Sequence, residues 1–263
     1  MIYYYINLDH RPDRRAYMEE ALAAVGLRHE RIAAVDGTEP DVRDAAARLG
    51  NSRLNGRPIS AGAYACFQSH RTAWSRLVQS GASHAAVLED DMHLAPGISK
   101  LSTADWVPVD AGIVKLETFG VRAHLDRSGP RIVDGRRLLR LRSTHTGGGA
   151  YVLSAGVAKR LLAETETFVD AVDEVLFNDR LDLLDREVIL QMWPAPAIQD
   201  KRTAPGAPSD VGGAQWGAGS IEERAAGGDP VVTEGPAGRV LRRLRAEIRA
   251  LSNGTDYKVV PFG

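Results

Sequence analysis

A chain of 263 residues, 44% hydrophobic and 25% charged, has the composition of a soluble globular protein and the length for one large domain. Its formal net charge of −1 offers no bulk attraction to nucleic acid or to a strongly acidic partner, so a nucleic-acid function is not expected. Cys66 is the single cysteine, which excludes an intramolecular disulfide and suits a reducing compartment.

Residues 2–8, rich in β-branched and aromatic side chains, predict a buried strand. The polar run from His10 to Arg15 ends it, and Asp13 is placed to cap a helix through Met18, Leu22 and Val25 that stops at Gly26. Residues 30–35 predict a second strand, closed by the turn pair Asp36-Gly37. Strand, helix, strand in this order opens an α/β sheet. The spacing of Phe67, Trp74, Leu77 and Val78 predicts a helix over 61–80. A short apolar strand at 84–88 follows and delivers Glu89-Asp90-Asp91 at its carboxyl end, the side of an open α/β sheet where ligands bind. Further strands are predicted at 113–117, 150–154 and 187–193. Gly147-Gly148-Gly149 precedes the second of these, and a helix over 155–163 follows it.

The acidic triplet has a definite chemistry open to it. A diphosphate leaving group concentrates negative charge, and a divalent cation held by carboxylates neutralises it. Mg²⁺ and Mn²⁺ take oxygen ligands and usually keep waters, so one or two protein carboxylates are enough. Residues two apart in an extended segment share a face, which pairs Glu89 with Asp91 and turns Asp90 away. Asp91 is therefore the candidate metal ligand, with Glu89 in support. Read alone, three acids after a strand more often make a solvated turn.

Five blocks raise the metal reading. They are Ile6-Asn7-Leu8-Asp9-His10-Arg11-Pro12-Asp13-Arg14-Arg15, Ala34-Val35-Asp36-Gly37, Gly62-Ala63-Tyr64-Ala65-Cys66-Phe67-Gln68-Ser69-His70-Arg71, Val87-Leu88-Glu89-Asp90-Asp91, and Thr146 to Ser154 with Val172-Asp173 beyond it. In this order and spacing they resemble glycosyltransferase family 25, the lipooligosaccharide-type β-galactosyltransferases. The third block departs from the family's GEIGCFLSHR pattern at Ala63 and Ala65. The resemblance covers most of residues 2–200 and fades beyond Asp200. It implies a GT-A-type fold, a Rossmann-like nucleotide-sugar-binding α/β sheet flanked by helices. It also implies a UDP-sugar donor, often UDP-galactose, a divalent Mn²⁺ or Mg²⁺, and inversion at the anomeric carbon. The implied acceptor is a saccharide or glycolipid such as lipopolysaccharide or another cell-surface glycan.

On the same resemblance, Asp173 is the candidate base for the acceptor hydroxyl, with Glu174 beside it; Asp170, one helical turn earlier, is the substitute that spacing offers. Donor contacts fall to Asn7, Leu8, Arg11 and Arg14 after the first strand, to Asp36 and Gly37 at the second, and to Ser69, His70, Glu89 and Asp90. An arginine there pairs bidentately with phosphate or simply sits at a solvated helix start. Asp36 serves the ribose or only the turn. Gly148 and Gly149 let the backbone approach the sugar or diphosphate closely, though no P-loop follows. Cys66 reads as a small buried hydrophobe, and Gln199 matches a family position without an evident role.

The expected division is a GT-A-type domain over 1–200, a Gly/Pro/Ala-rich loop, lid or linker over 201–238, and a basic helix and tail over 239–263. Leu241, Leu244, Ile248 and Leu251 share one face of that helix, among five arginines. Such a helix suits an anionic membrane surface and equally a cap on the domain. With no apolar run long enough to cross a bilayer and no signal-peptide pattern, the cytoplasm is the expected location, free or on the inner membrane face. The leading expectation is a metal-dependent glycosyltransferase. The competing ones are a silent relative that binds nucleotide-sugar or glycan and a phosphohydrolase, which would need more acidic and histidine ligands than the sequence places.

Overall fold

The computed structural model describes residues 1–200 and 254–263. Strand β1 (Ile2–Asn7), helix α1 (Pro12–Ala24) and strand β2 (His29–Ala33) form the expected α/β opening. Helices α2 (Pro40–Ala47) and α3 (Ala61–Ser80) lead to β3 (His84–Glu89) and β4 (Met92–Leu94). Then come β5 (Ile113–Lys115), β6 (Glu117–Thr118), β7 (Arg122–Asp126), β8 (Arg137–Arg140) and β9 (Ala150–Ser154). Helices α4 (Ala155–Glu164), α5 (Val172–Phe177) and α6 (Leu183–Arg186) precede β10 (Ile189–Trp193) and β11 (Ala197–Gln199). Strand β12 (Thr255–Val259) closes the chain.

Seven strands form one sheet in the order β2-β1-β3-β9-β5-β10-β8. Strands β2, β1 and β3 run parallel, as do β5 and β10, while β9 runs antiparallel to both its neighbours and β8 to β10. This is the parallel-rich α/β sheet flanked by helices that the sequence leads one to expect. The run Tyr3-Tyr4-Tyr5-Ile6 is buried throughout because helices cover both faces of β1. Tyr4 and Ile6 pack with Phe67, Trp74 and Leu77 of α3. Tyr3 and Tyr5, on the opposite face, pack with Met18 and Leu22 of α1.

The reversed strand decides where a site can form. Parallel strands end together at one edge, where Ile6 pairs with Glu89. An antiparallel strand begins where they end, and Leu88 pairs with Ala150. Residues 147–149 therefore enter β9 beside Asn7 and Glu89, although they precede a strand rather than follow one.

Local readings shift in four places. Asp13 does not cap α1: Arg11 is the N-cap residue, Pro12 opens the helix, and Asp13 lies inside the first turn. The fixed φ of Pro12 suits the first helical position, which moves the start two residues earlier. Strand β2 occupies 29–33 rather than 30–35. The strand expected over 113–117 is split between two sheets, because β6 leaves to join β11 and β4. Strand β10 begins at Ile189, after the Glu187 amide has closed α6 by bonding to the Leu183 carbonyl.

The expected loop over 201–238 and the helical part of the basic tail lie outside the described residues. The last residues do not trail away. Strand β12 pairs with β7, the buried Val260 carbonyl accepts from Thr118 Oγ1 at 2.6 Å, and the Ala195 amide donates to Pro261 at 2.8 Å. Among the described residues no helix is long and apolar enough to cross a membrane.

Gly37, between β2 and α2, packs against the first residues of α3. A Cβ there would lie 2.9 Å from Gly62 Cα and 3.0 Å from the Ala61 carbonyl oxygen, backbone atoms that cannot rotate aside. Gly37→Ala should therefore cost about 1–3 kcal/mol of stability. The measurement is urea unfolding, with a lower midpoint and an unchanged slope.

Candidate functional site

Asn7 ends β1 and is fully buried, so every polar atom it carries needs a partner. Its Nδ2 donates to Asp90 Oδ2 at 2.7 Å and to the Arg11 carbonyl at 3.0 Å, and its Oδ1 accepts from Arg31 Nε at 3.0 Å. The other Asp90 oxygen accepts from Arg14 Nη1 at 2.9 Å. Burial pushes the Asp90 carboxyl upward, while Arg14 and Asn7 pull it back toward the ionised form. Asp90 is thus a buried clasp between β1, α1 and the end of β3. Arg11 pairs with Asp13 through two hydrogen bonds, 3.0 and 2.8 Å, and Leu8 is half-buried beside it. Arg31 is a member of this group that the sequence did not single out, because a strand arginine carries no pattern of its own.

Glu89 and Asp91 flank that clasp and remain half-buried. Glu89 Oε2 accepts from Gln199 Nε2 at 2.7 Å, which supplies the role that Gln199 lacked in sequence. Its Oε1 faces Cys66 Sγ at 3.8 Å and His70 Nε2 at 3.5 Å. His70 is fully buried, with Nδ1 2.8 Å from the Tyr151 hydroxyl, which also accepts from Trp74 Nε1 at 2.7 Å. With the tyrosine proton directed at Nδ1, the imidazole carries its own proton on Nε2, facing the Glu89 carboxylate. The opposite tautomer would set a lone pair against that charge. Burial and the nearby carboxylates push the Cys66 thiol well above its ordinary value, so it stays protonated. Ser69, on the same helix, accepts from the Val35 amide at 2.9 Å and donates to Ala65, tying β2 to α3. Asp36 accepts from the Thr38 amide and hydroxyl at 2.8 and 2.7 Å, holding the turn that carries Gly37.

The glycine turn is the third component. Gly147 has φ of +100°, and a Cβ would meet the Phe119 ring at 2.2 Å. At Gly149 it would fall 2.7 Å from Met92 Sδ and 2.8 Å from Glu117 Oε2. Beneath the turn lies an ion pair with no solvent exposure. Lys115 Nζ donates to Glu117 Oε1 at 2.9 Å, to the Thr146 carbonyl at 3.2 Å and to the Gly147 carbonyl, and it sits 4.1 Å from the Phe177 ring centre. Glu117 Oε1 also accepts from the Gly149 amide at 2.9 Å. Neighbouring His145 is held neutral, its value pressed down to about 3 by burial and by the Lys115 charge.

Asp173 opens α5 and its Oδ2 accepts from the Gly147 amide at 3.0 Å. A Cβ at Gly148 would sit 3.6 Å from Asp173 Cβ and 3.8 Å from His70 Cε1, so turn, acid and histidine converge. Burial raises the Asp173 carboxyl, with the Gly147 amide and the Lys115 charge opposing. Glu174 instead turns along its own helix to Asn178 Nδ2. Asp170 is committed elsewhere, accepting from Ser52 Oγ at 2.6 Å and Arg53 Nε at 2.7 Å. The structure therefore gathers His70, Glu89, Gly148, Gly149 and Asp173 at one edge, with Asn7, Arg14 and Asp90 beside them.

Comparison with known proteins agrees with this picture. The sequence profile of glycosyltransferase family 25 (LPS biosynthesis protein) matches residues 1–176. A Haemophilus influenzae protein carrying a glycosyltransferase name is 25% identical over 98% of this chain and 88% of its own length. The lacto-N-neotetraose biosynthesis glycosyltransferase LgtB of Neisseria meningitidis is 29% identical, over 74% of each chain. The lipooligosaccharide biosynthesis protein lex-1 of Haemophilus influenzae is 29% identical over 55% of this chain, which spans about half of that protein's length (51%).

The ion pair yields a stability test. Lys115→Met leaves the Glu117 carboxylate buried without its cation and should cost about 3–5 kcal/mol. Adding Glu117→Gln removes the stranded charge while keeping an acceptor for Gly149, so the double variant should recover much of the loss. A double-mutant cycle in urea reads the coupling directly.

Proposed function

The chain belongs to glycosyltransferase family 25, and we propose that it moves galactose or a related hexose from a UDP-sugar to a saccharide acceptor, with inversion and with the help of Mn²⁺ or Mg²⁺. One observation carries this reading: a half-buried acid pair, a turn without side chains and the half-buried Asp173 carboxylate meet at the carboxyl edge of the sheet. The relatives named for lipooligosaccharide and lacto-N-neotetraose synthesis point to a lipopolysaccharide-type acceptor. A lipid-borne acceptor would bring the chain to an anionic membrane surface, which the arginines between 239 and 249 suit.

The donor set fits a hard cation. Asp91 and Glu89 are the half-buried carboxylates of the triplet and would supply the oxygens, while Asp90 is consumed by Asn7 and Arg14. Bound there, the cation would neutralise charge collecting on the departing diphosphate. Gln199 orients Glu89 so that the carboxylate need not reorganise during transfer. The uridine lies along Asn7, Leu8, Arg11 and the Asp36-Gly37 turn, and the sugar lies over Gly148 and Gly149. Ser69 holds the β2 end in place, and His70 closes the floor of the site.

Asp173 is the base. Its position across the glycine turn from Glu89 allows a hydroxyl to approach opposite the leaving group, and its raised proton affinity makes it a better acceptor than an exposed aspartate. Glu174, engaged with Asn178, shapes the acceptor side without taking the proton.

Asp173→Asn should lower turnover more than about 10²-fold while leaving UDP binding intact. The measurement is UDP release with a lipooligosaccharide acceptor, beside calorimetric titration with UDP. Near-normal turnover removes Asp173 from the role. The base works only when ionised, and burial raises its pKa. Acidification should therefore cut kcat/KM with a midpoint above the ordinary aspartate value of about 3.9. A chelator should abolish UDP release and added Mn²⁺ restore it; release that persists in EDTA would refute the metal requirement.

A further inference from the structure

Cys66 and His70 lie four residues apart on α3, which stacks them on one face a single turn apart. Glu89 reaches the same point from β3. Cys66 Sγ, His70 Nε2 and Glu89 Oε1 all fall within 4.8 Å of one another, with the sulfur 3.8 Å and the imidazole nitrogen 3.5 Å from the carboxylate oxygen. In a tetrahedral zinc site with bonds of about 2.0–2.3 Å, ligand atoms stand about 3.3–3.6 Å apart. The two distances to the carboxylate oxygen are nearly at that spacing already.

A second observation singles out the imidazole. His70 has no solvent exposure, and its Nε2 has no hydrogen-bond partner among the described residues while pointing at Glu89. Its other nitrogen is fixed by the Tyr151 hydroxyl, the kind of outer contact that orients a metal-binding histidine. Glu89 keeps a quarter of its side chain exposed (26%), so the approach to the three ligands stays open on the cleft side.

We propose that Cys66, His70 and Glu89 form a binding site for a thiophilic divalent cation, Zn²⁺ by its donor set, distinct from the hard-cation role of Asp91. Thiolate and imidazole select zinc over Mg²⁺ or Mn²⁺. Binding breaks the Cys66 S–H bond, forms a metal–sulfur bond and releases that proton to solvent. The imidazole stays neutral, its proton moving from Nε2 to Nδ1, where the Tyr151 oxygen accepts it. Water takes the fourth position. Because Glu89 also supports the donor-side cation, bound zinc would slow transfer. That consequence rests on the transferase reading, whereas binding does not.

Cobalt titration of the reduced, donor-free full chain tests the site. Cys66 is the single cysteine, so a sulfur-to-cobalt charge-transfer band in the near ultraviolet can arise only from it. The band should appear in the wild type at one Co²⁺ per chain and vanish when one equivalent of Zn²⁺ is added. In Cys66→Ser it should be absent, with zinc affinity, measured against a chromogenic chelator, at least about tenfold weaker. A wild-type spectrum without that band at saturating Co²⁺ overturns the proposal, whether or not the variant folds. Unchanged zinc affinity in a folded Cys66→Ser protein overturns it equally.

Discussion

The arrangement of the candidate site depends on a lysine and a glutamate with no access to water. Lys115 and Glu117 together bind the Thr146 and Gly147 carbonyls and the Gly149 amide, and so dictate the path of the glycine turn. Neither charge is tolerable alone at that depth. The turn in turn gives Asp173 its amide donor and brings Gly148 against Asp173 and His70. What the pair contributes is geometric definition: a turn bonded from below cannot drift toward the cleft. The Phe177 ring, packed on the lysine, extends that definition to α5 itself.

The acidic triplet shows how one strand end divides labour among like charges. Asp90 is drawn inward and neutralised by Arg14 and Asn7, so it binds the framework together. Glu89, the last residue of β3, and Asp91, in the turn after it, stay half-buried. Three carboxylates in sequence would repel one another strongly if all faced one cavity. Burying one of them with its own cation relieves that repulsion.

Much of this was legible before any coordinates. The helix over 61–80 and the strand before the triplet follow from apolar spacing, whereas Asp90 parts from its neighbours in the turn after β3 through its bonds to Asn7 and Arg14, not through strand alternation. The Lys115–Glu117 pair was not legible, because a charged residue in a strand pattern reads as a surface face or a strand end. Only the crossing of β9 beside β5 buries it. Gln199 and Arg31 were opaque for the same reason: each acts on a residue more than twenty positions away, across elements that the sequence does not order. Asp170 looked interchangeable with Asp173 on helical spacing alone. Its bonds to Ser52 and Arg53, in a loop with no periodic signal, separate the two.

The packing of residues 254–263 against the body has a consequence for the candidate site. Strand β12 and the residues after it are stitched onto β7, Thr118 and Ala195, while Asp200 is anchored through its amide to the Asp91 carbonyl. Thr118 directly follows Glu117 on β6, so these last residues hold the strand that carries the glutamate of the buried ion pair. Whatever loosens β12 would therefore be felt at the glycine turn, through the glutamate that its Gly149 amide is bonded to.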